Sequence, residues 1–174
     1  EFNPELDISD ILLVTRSEVK NKQVMPNIPR NVTLSVGGLQ FFYEIYSSDS
    51  SKKNCTVDYE VLDKESKVLY KKSVLKDITF GKNQIVESLD DLRLDLGTFI
   101  LRVTLKDENF KTITSLNKSF FSRWIGLPGS VTDIDKAISQ MVYIATPDEL
   151  SKLKDSKTNE EKLKNFLEFW KKKD

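Results

Sequence analysis

The sequence predicts a mainly β protein with a helical tail: an antiparallel β-sandwich of immunoglobulin or fibronectin-III type, followed by about three short α-helices. Three observations carry this. From about Leu39 to Trp124 the apolar residues recur at period two, the spacing that puts them on one face of a pleated strand. Turn residues punctuate that stretch at intervals of about ten residues, without intervening helical patterns. After Trp124 the period changes to 3.6 residues and helix-start signatures precede the periodic runs. The division is a sandwich over residues 1–125 and a helical segment over 126–174, the latter expected to continue into a further domain.

The elements follow in order. Ile8–Thr15 reads as a first strand, and Met25–Pro29 as an extended connector, because each proline removes a backbone donor and biases its predecessor away from helix. Gly37-Gly38 has no helix after it, so it reads as a turn and not as a phosphate cradle. In Leu39–Ser47, Phe41, Tyr43 and Ile45 share one face while Phe42, Glu44 and Tyr46 share the other; aromatic bulk on both sides predicts a central strand. Cys55, Val57, Tyr59 and Val61 alternate with Thr56, Asp58 and Glu60, which suits a sheet with one wet face. Asp63–Ser66 reads as a hairpin turn into Lys67–Val74. Leu92, Leu94 and Leu96 alternate, Gly97 permits a corner, and Phe99, Leu101, Val103 and Leu105 alternate again before the polar turn Asp107-Glu108-Asn109. Two further short strands are expected over Phe110–Thr114 and Leu116–Arg123. Phe99 stands where many such sandwiches carry a corner tyrosine, and without the hydroxyl only a packing role is expected of it.

Leu127-Pro128-Gly129-Ser130 breaks the strand pattern. Thr132 followed by Asp135 is a weak capping box ahead of Ile134, Ala137, Ile138, Met141 and Ala145 at helical spacing. Thr146-Pro147-Asp148-Glu149 combines a cap residue, proline at the first helical position and an acid three residues on, so a second helix starts there and ends near Asp155. Thr158 to Glu161 repeats the box, and Leu163, Phe166, Leu167 and Trp170 then lie on one face, with Phe169 at its edge. Such a face needs a partner, either the preceding helices or further chain. Phe166, Phe169 and Trp170 are therefore the candidate partner-binding face.

Composition narrows the chemistry by exclusion. The 174 residues hold 27 Lys and Arg against 27 Asp and Glu, no histidine and one cysteine. Without histidine there is no Ser-His-Asp or Cys-His nucleophile system, no imidazole base and no His-containing metal cage. One cysteine excludes an internal disulfide and a Cys-only zinc or iron–sulfur site. Balanced charge supplies no strong field for nucleic acid or an anionic membrane. The longest aliphatic run, Ile11 to Val14, is far short of the roughly 20 residues a spanning helix needs. The chain opens at Glu1-Phe2 without methionine, as after removal of a leader or a cut in a longer chain.

Every reactive candidate meets a simpler reading. Asp90-Asp91 and Glu160-Glu161 are adjacent carboxylates, and adjacent residues point to different sides of a strand or helix, so they face solvent. Asp107, Glu108 and Asn109 offer oxygen ligands but lack the alternating spacing of a calcium loop. Cys55 has nothing evident to lower its pKa and reads as a structural thiol. Asn31-Val32-Thr33, Asn54-Cys55-Thr56 and Asn117-Lys118-Ser119 match the glycosylation sequon, which matters only in a secreted eukaryotic protein. Lys171–Lys173 suits the dipole at a helix end. No catalytic residue, cofactor or metal is expected.

The order of these pieces resembles the bacterial GWxTD domain-containing proteins. The matching stretches are VMPNIPRNVTLSVGGLQFFYEIYS, LDLGTFILRVTLKD, and SFFSRWIGLPGSVTDIDKAISQMVYIATPDELSKLK leading into EEKLKNFLEFWKKKD. The resemblance runs over nearly all of the chain and matches it to the N-terminal half of that family; the Gly-Trp-x-Thr-Asp motif itself is absent. It implies an exported protein, periplasmic or extracellular, and carries over no catalytic residues. The expected role is a non-catalytic exported module for protein interaction or assembly, whose partner is another protein or a further C-terminal domain, with no nucleic acid and no transmembrane segment. The alternatives are an accessory domain of an enzyme whose catalytic part lies beyond residue 174, a carbohydrate-binding sandwich using Phe42 and Tyr46, and a subunit of an extracellular structure.

Overall fold

A computed structural model describes residues 6–14, 25–33, 38–50, 53–123 and 133–173. Among the described residues nine strands form the two sheets of a sandwich, and three helices follow. The strands are β1 (Leu6–Ile8), β2 (Leu12–Leu13), β3 (Asn31–Thr33), β4 (Leu39–Ser47), β5 (Lys53–Leu62), β6 (Val68–Ile78), β7 (Gly81–Leu89), β8 (Gly97–Lys106) and β9 (Thr112–Arg123). In the small sheet β4 is the hub: β7 runs antiparallel along its whole length on one edge, and β1 and β2 share the other. The large sheet has the order β3-β9-β8-β5-β6 and is antiparallel except for the short β3–β9 pairing, which is parallel.

Period two is what fills the core. Phe41, Tyr43 and Ile45 from β4 meet Cys55, Val57, Tyr59 and Val61 from β5 and Leu101, Val103 and Leu105 from β8, all essentially without solvent exposure. The rings interlock: Phe41 stands edge-on to Tyr59 at 5.3 Å between centroids, and the Tyr43 and Tyr59 hydroxyls bond each other at 2.6 Å. Phe99 packs beside Phe120 at 6.0 Å, the packing role expected of it.

The two lateral openings between the sheets are closed by charge. Lys72 and Lys76 of β6 stand opposite Tyr59 and Cys55 and so point inward, where Glu87 of β7 receives them at 3.0 and 2.8 Å. On the far side Lys118 of β9, opposite Leu101, reaches Asp10 at 2.7 Å. Inward-pointing charge at a sheet edge discourages pairing with a further strand.

Several expectations change. Ile8–Thr15 is not one strand: Ser9 bonds Glu44 in both directions, the chain slips phase by one residue, and β1 and β2 separate, with Leu6 and Ile8 and then Ile11 and Leu13 facing inward. Thr15 itself lies outside the described residues. Leu92–Leu96 is a connection and not a strand, opened by a turn from the Leu92 amide to the Leu89 carbonyl, although Leu92 is buried. The strand before that connection is β7, which pairs with β4, and the two short strands expected over Phe110–Thr114 and Leu116–Arg123 are the single strand β9, starting at Thr112.

The helices are α1 (Ile134–Gln140), continued by a tight turn over Met141–Tyr143, α2 (Pro147–Lys154) and α3 (Asn159–Lys173). Asp133 caps α1 through the Lys136 amide; Thr132 and Leu127–Ser130, where the sequence reading placed the cap and the break, lie outside the described residues. The capping box of α2 forms as expected, with Thr146 and Glu149 bonding each other's backbone amides. Ile134, Ile138, Met141, Leu153, Phe166 and Phe169 make a second apolar cluster, separate from the sandwich core, on which Leu96 of the β7–β8 connection packs. Among the described residues no helix is long and apolar enough to cross a membrane.

Candidate binding face

The outer face of the large sheet carries lateral ion pairs, with Leu75 of β6, opposite Thr56, 67% exposed beside them. Asp58, almost fully buried, takes Lys106 at 2.7 Å and the Ser73 hydroxyl at 2.6 Å. Burial pushes its carboxyl up, but these hydrogen bonds and charges outweigh burial and hold it below its ordinary range. Glu60 takes Lys71 at 2.9 Å and Arg102 at 3.6 Å.

The outer face of the small sheet is different. Register puts Leu12, Phe42 and Val86 in one row across β2, β4 and β7. Phe42 is partly exposed, and Leu12, Tyr46 and Val86 are 37%, 37% and 42% exposed. Beside the row lies a polar group centred on Glu44. Its carboxylate accepts the Tyr46 hydroxyl, the Gln84 amide at 3.0 Å and Lys82 at 3.4 Å. The Tyr46 hydroxyl is the main reason the Glu44 carboxyl is held low, and the same bond pushes the Tyr46 phenol up. An apolar row across three strands thus lies beside a hydrogen-bonding rim.

The other sequence candidates are placed elsewhere. Phe166 and Phe169 are buried in the helical cluster and Trp170 is the exposed member, so Phe169 is central and Trp170 the edge, the reverse of the sequence reading. Trp170 stands edge-on to both rings, at 6.2 and 5.6 Å. Asp91 accepts the Tyr70 hydroxyl at 2.7 Å and Asp90 the Ser88 hydroxyl at 2.7 Å. The Asp107 carboxylate is taken by the amides of Asn109 and Lys111. Cys55 is buried, which pushes its thiol up to about 11. Gly38 opens β4 with φ +73°, a backbone that favours glycine. Among the described residues no three His, Cys, Asp or Glu side chains are grouped to hold a metal ion.

Sequence reasoning placed Phe42 and Tyr46 on one face but missed Lys82, Gln84 and Val86, because it did not recognise β7. The signal that could have found them is the alternation of Asn83, Ile85, Glu87 and Leu89, masked by two polar members.

No protein-family model matches the chain, and no curated protein matches it. Solved structures do show partial likeness. A beta-glucuronidase from glycoside hydrolase family 2 aligns with TM-score 0.41 and 15% identity over 53% of this chain and 10% of its own. The Parabacteroides merdae beta-glucuronidase aligns with TM-score 0.42 and 14% identity over 68% of this chain and 14% of its own. A putative beta-galactosidase from Bacteroides fragilis aligns with TM-score 0.42 and 10% identity over 63% and 15%. The chain thus spans a small fraction of each of these proteins.

Proposed function

We propose that this chain is a non-catalytic binding module that engages a protein partner through the outer face of its small sheet. The observation that carries the reading is the exposed Leu12–Phe42–Val86 row beside Tyr46, bounded by Glu44, Gln84 and Lys82. An apolar centre with a polar rim is the anatomy of a protein interface. The opposite face carries paired charges across its strands, and Leu75, exposed there, lies in a polar row with Thr56 and Lys106. Resemblance to the exported GWxTD domain-containing proteins supports a periplasmic or extracellular setting. The test is native co-purification with the wild-type chain and with Phe42→Ser and Val86→Asp, both on the surface and both expected to fold. A partner held by the wild type and lost by both variants supports the reading, and equal retention by all three refutes it.

A second reading is carbohydrate binding, favoured by Phe42 and Tyr46 on one strand beside the Glu44 carboxylate and Gln84 amide, which offer a stacking surface next to hydrogen-bonding groups. Binding on a glycan array that disappears in Tyr46→Ala would select it over the protein partner.

A further inference from the structure

The outer face of the small sheet is a grid fixed by register. Across β1, β4 and β7, Asp7 stands opposite Tyr46 and Tyr46 opposite Lys82. Across β2, β4 and β7, Leu12 stands opposite Phe42 and Phe42 opposite Val86. Leu6 and Ile8 face inward, so Asp7 between them faces out with Tyr46. Glu44 and Gln84 form the row between. β4 is thus a midline. At one height a carboxylate lies on one flank and an ammonium on the other; at another height an apolar residue lies on each flank of Phe42.

Such a grid is complementary to itself. When two copies lie face to face about a twofold axis running along β4, each flank of one meets the opposite flank of the other. Asp7 of one copy then faces Lys82 of the second, and the same pair recurs on the far side of the axis. The Lys82 side chain is 54% exposed and keeps donors for an acceptor besides Glu44. Leu12 faces Val86 twice, and Phe42 and Tyr46 meet their own counterparts on the axis, aromatic against aromatic. Glu44 also meets its counterpart there, but its charge is taken up within its own chain by the Tyr46 hydroxyl, the Gln84 amide and Lys82. The end-for-end arrangement, with the axis across the strands, would press the apolar row onto the Glu44 row, so charge and apolar contact select one orientation. The angle of about 30° at which aligned sheets pack displaces facing residues by only a few ångström this close to the centre, within the reach of a lysine.

We propose that the partner of this face is a second copy of the chain, paired about an axis along β4; this rests on the reading of the face as a protein-binding surface. Three strand widths by the nine residues of β4 and β7 cover roughly 14 by 30 Å, so two such faces bury on the order of 1,000 Å², the lower limit for a specific interface. The pairing is therefore weak and concentration-dependent, with a dissociation constant on the order of 10–100 μM. The 27 acidic and 27 basic residues leave no net charge to hold copies apart.

The experiment is sedimentation velocity of the chain from about 10 μM to about 1 mM, over which the wild type should pass from monomer to dimer. Phe42→Ser should weaken the dimer at least tenfold. Asp7→Lys and Lys82→Glu should each weaken it roughly tenfold, because two attractions become two repulsions. An equimolar mixture of those two variants should recover dimer of wild-type strength, since the mixed pair restores both contacts, and that recovery shows that both variants are folded. Wild type that stays monomeric at about 1 mM overturns the proposal. So does Phe42→Ser that pairs as tightly as the wild type, or a mixture that pairs no better than either variant alone. A monomeric chain that still captures a different protein through Phe42 and Val86 overturns self-pairing alone and leaves the binding face standing.

Discussion

Glu87→Gln tests how the sandwich is held shut along its β6–β7 side. The Glu87 side chain is 12% exposed and faces Lys72, 37% exposed, and Lys76, 23% exposed, both from the opposite sheet. Removing one partner of a fully buried pair costs about 3–5 kcal/mol; here both ammonium groups keep part of their water and glutamine keeps one acceptor, so about 2 kcal/mol is expected. The pH dependence follows from the same contacts. Burial pushes the Glu87 carboxyl up, but hydrogen bonds from Lys76 and Lys72 outweigh it and hold the group below its ordinary value of 4.5. A carboxyl depressed in the folded state adds stability above its unfolded pKa, and that stability is lost as pH falls through the folded one. Urea unfolding of wild type and Glu87→Gln, followed by circular dichroism, should therefore show a gap near neutral pH that closes as pH falls below the ordinary carboxyl value of 4.5. Asp58 also titrates low, but it does so in both proteins and cancels in the comparison. A neutral-pH gap below about 0.5 kcal/mol, or one that persists unchanged in acid, refutes the assignment.

Three further outcomes are expected. Gly38→Ala should cost about 3 kcal/mol in chemical unfolding, because φ is +73° and the new Cβ would lie 2.4 Å from the Leu89 carbonyl and 2.7 Å from Asp90 Cα, both backbone atoms. Phe169→Ala should cost about 3–4 kcal/mol, and because the helical cluster is separate from the sandwich core, helix signal should melt first while the sheets persist. A single coincident transition would contradict that. The buried Cys55 thiol, pushed up to about 11, should resist a thiol reagent at mildly alkaline pH until the sandwich is unfolded.

The parts of the fold legible in sequence are those where one face is apolar without interruption. β4, β5 and β8 could be read from Phe41-x-Tyr43-x-Ile45, Cys55-x-Val57-x-Tyr59-x-Val61 and Phe99-x-Leu101-x-Val103-x-Leu105 because every inward residue is greasy. β7 escaped because its inward set includes Glu87, whose charge is satisfied only by lysines from the other sheet. Leu92, Leu94 and Leu96 misled in the opposite direction: Leu92 is buried in the sandwich and Leu96 on the helices, a bridging loop with strand-like spacing. In α3, apolar residues at 163, 166, 167, 169 and 170 span too wide an arc for periodicity to say which of Phe169 and Trp170 faces inward. The small-sheet face was half visible, since its β4 residues obey parity and its β7 residues depend on a register that no local pattern reveals.

The position of β4 as the hub of its sheet bears on the order in which the protein comes together. β5–β6 and β8–β9 are hairpins between neighbours in the chain, whereas β4 must find β7 with the whole β5–β6 hairpin lying between them in sequence, and β1 and β2 from the other direction. Chain-closure entropy delays such distant pairings, so the two hairpins should form first, and β4–β7 should join at the same stage as β5–β8, whose closure is equally long. The row of Leu12, Phe42 and Val86 draws one residue from each of β2, β4 and β7, strands joined to one another by such distant pairings. That row is then among the last surfaces of the sandwich to assemble, and it exists only on molecules that have finished folding.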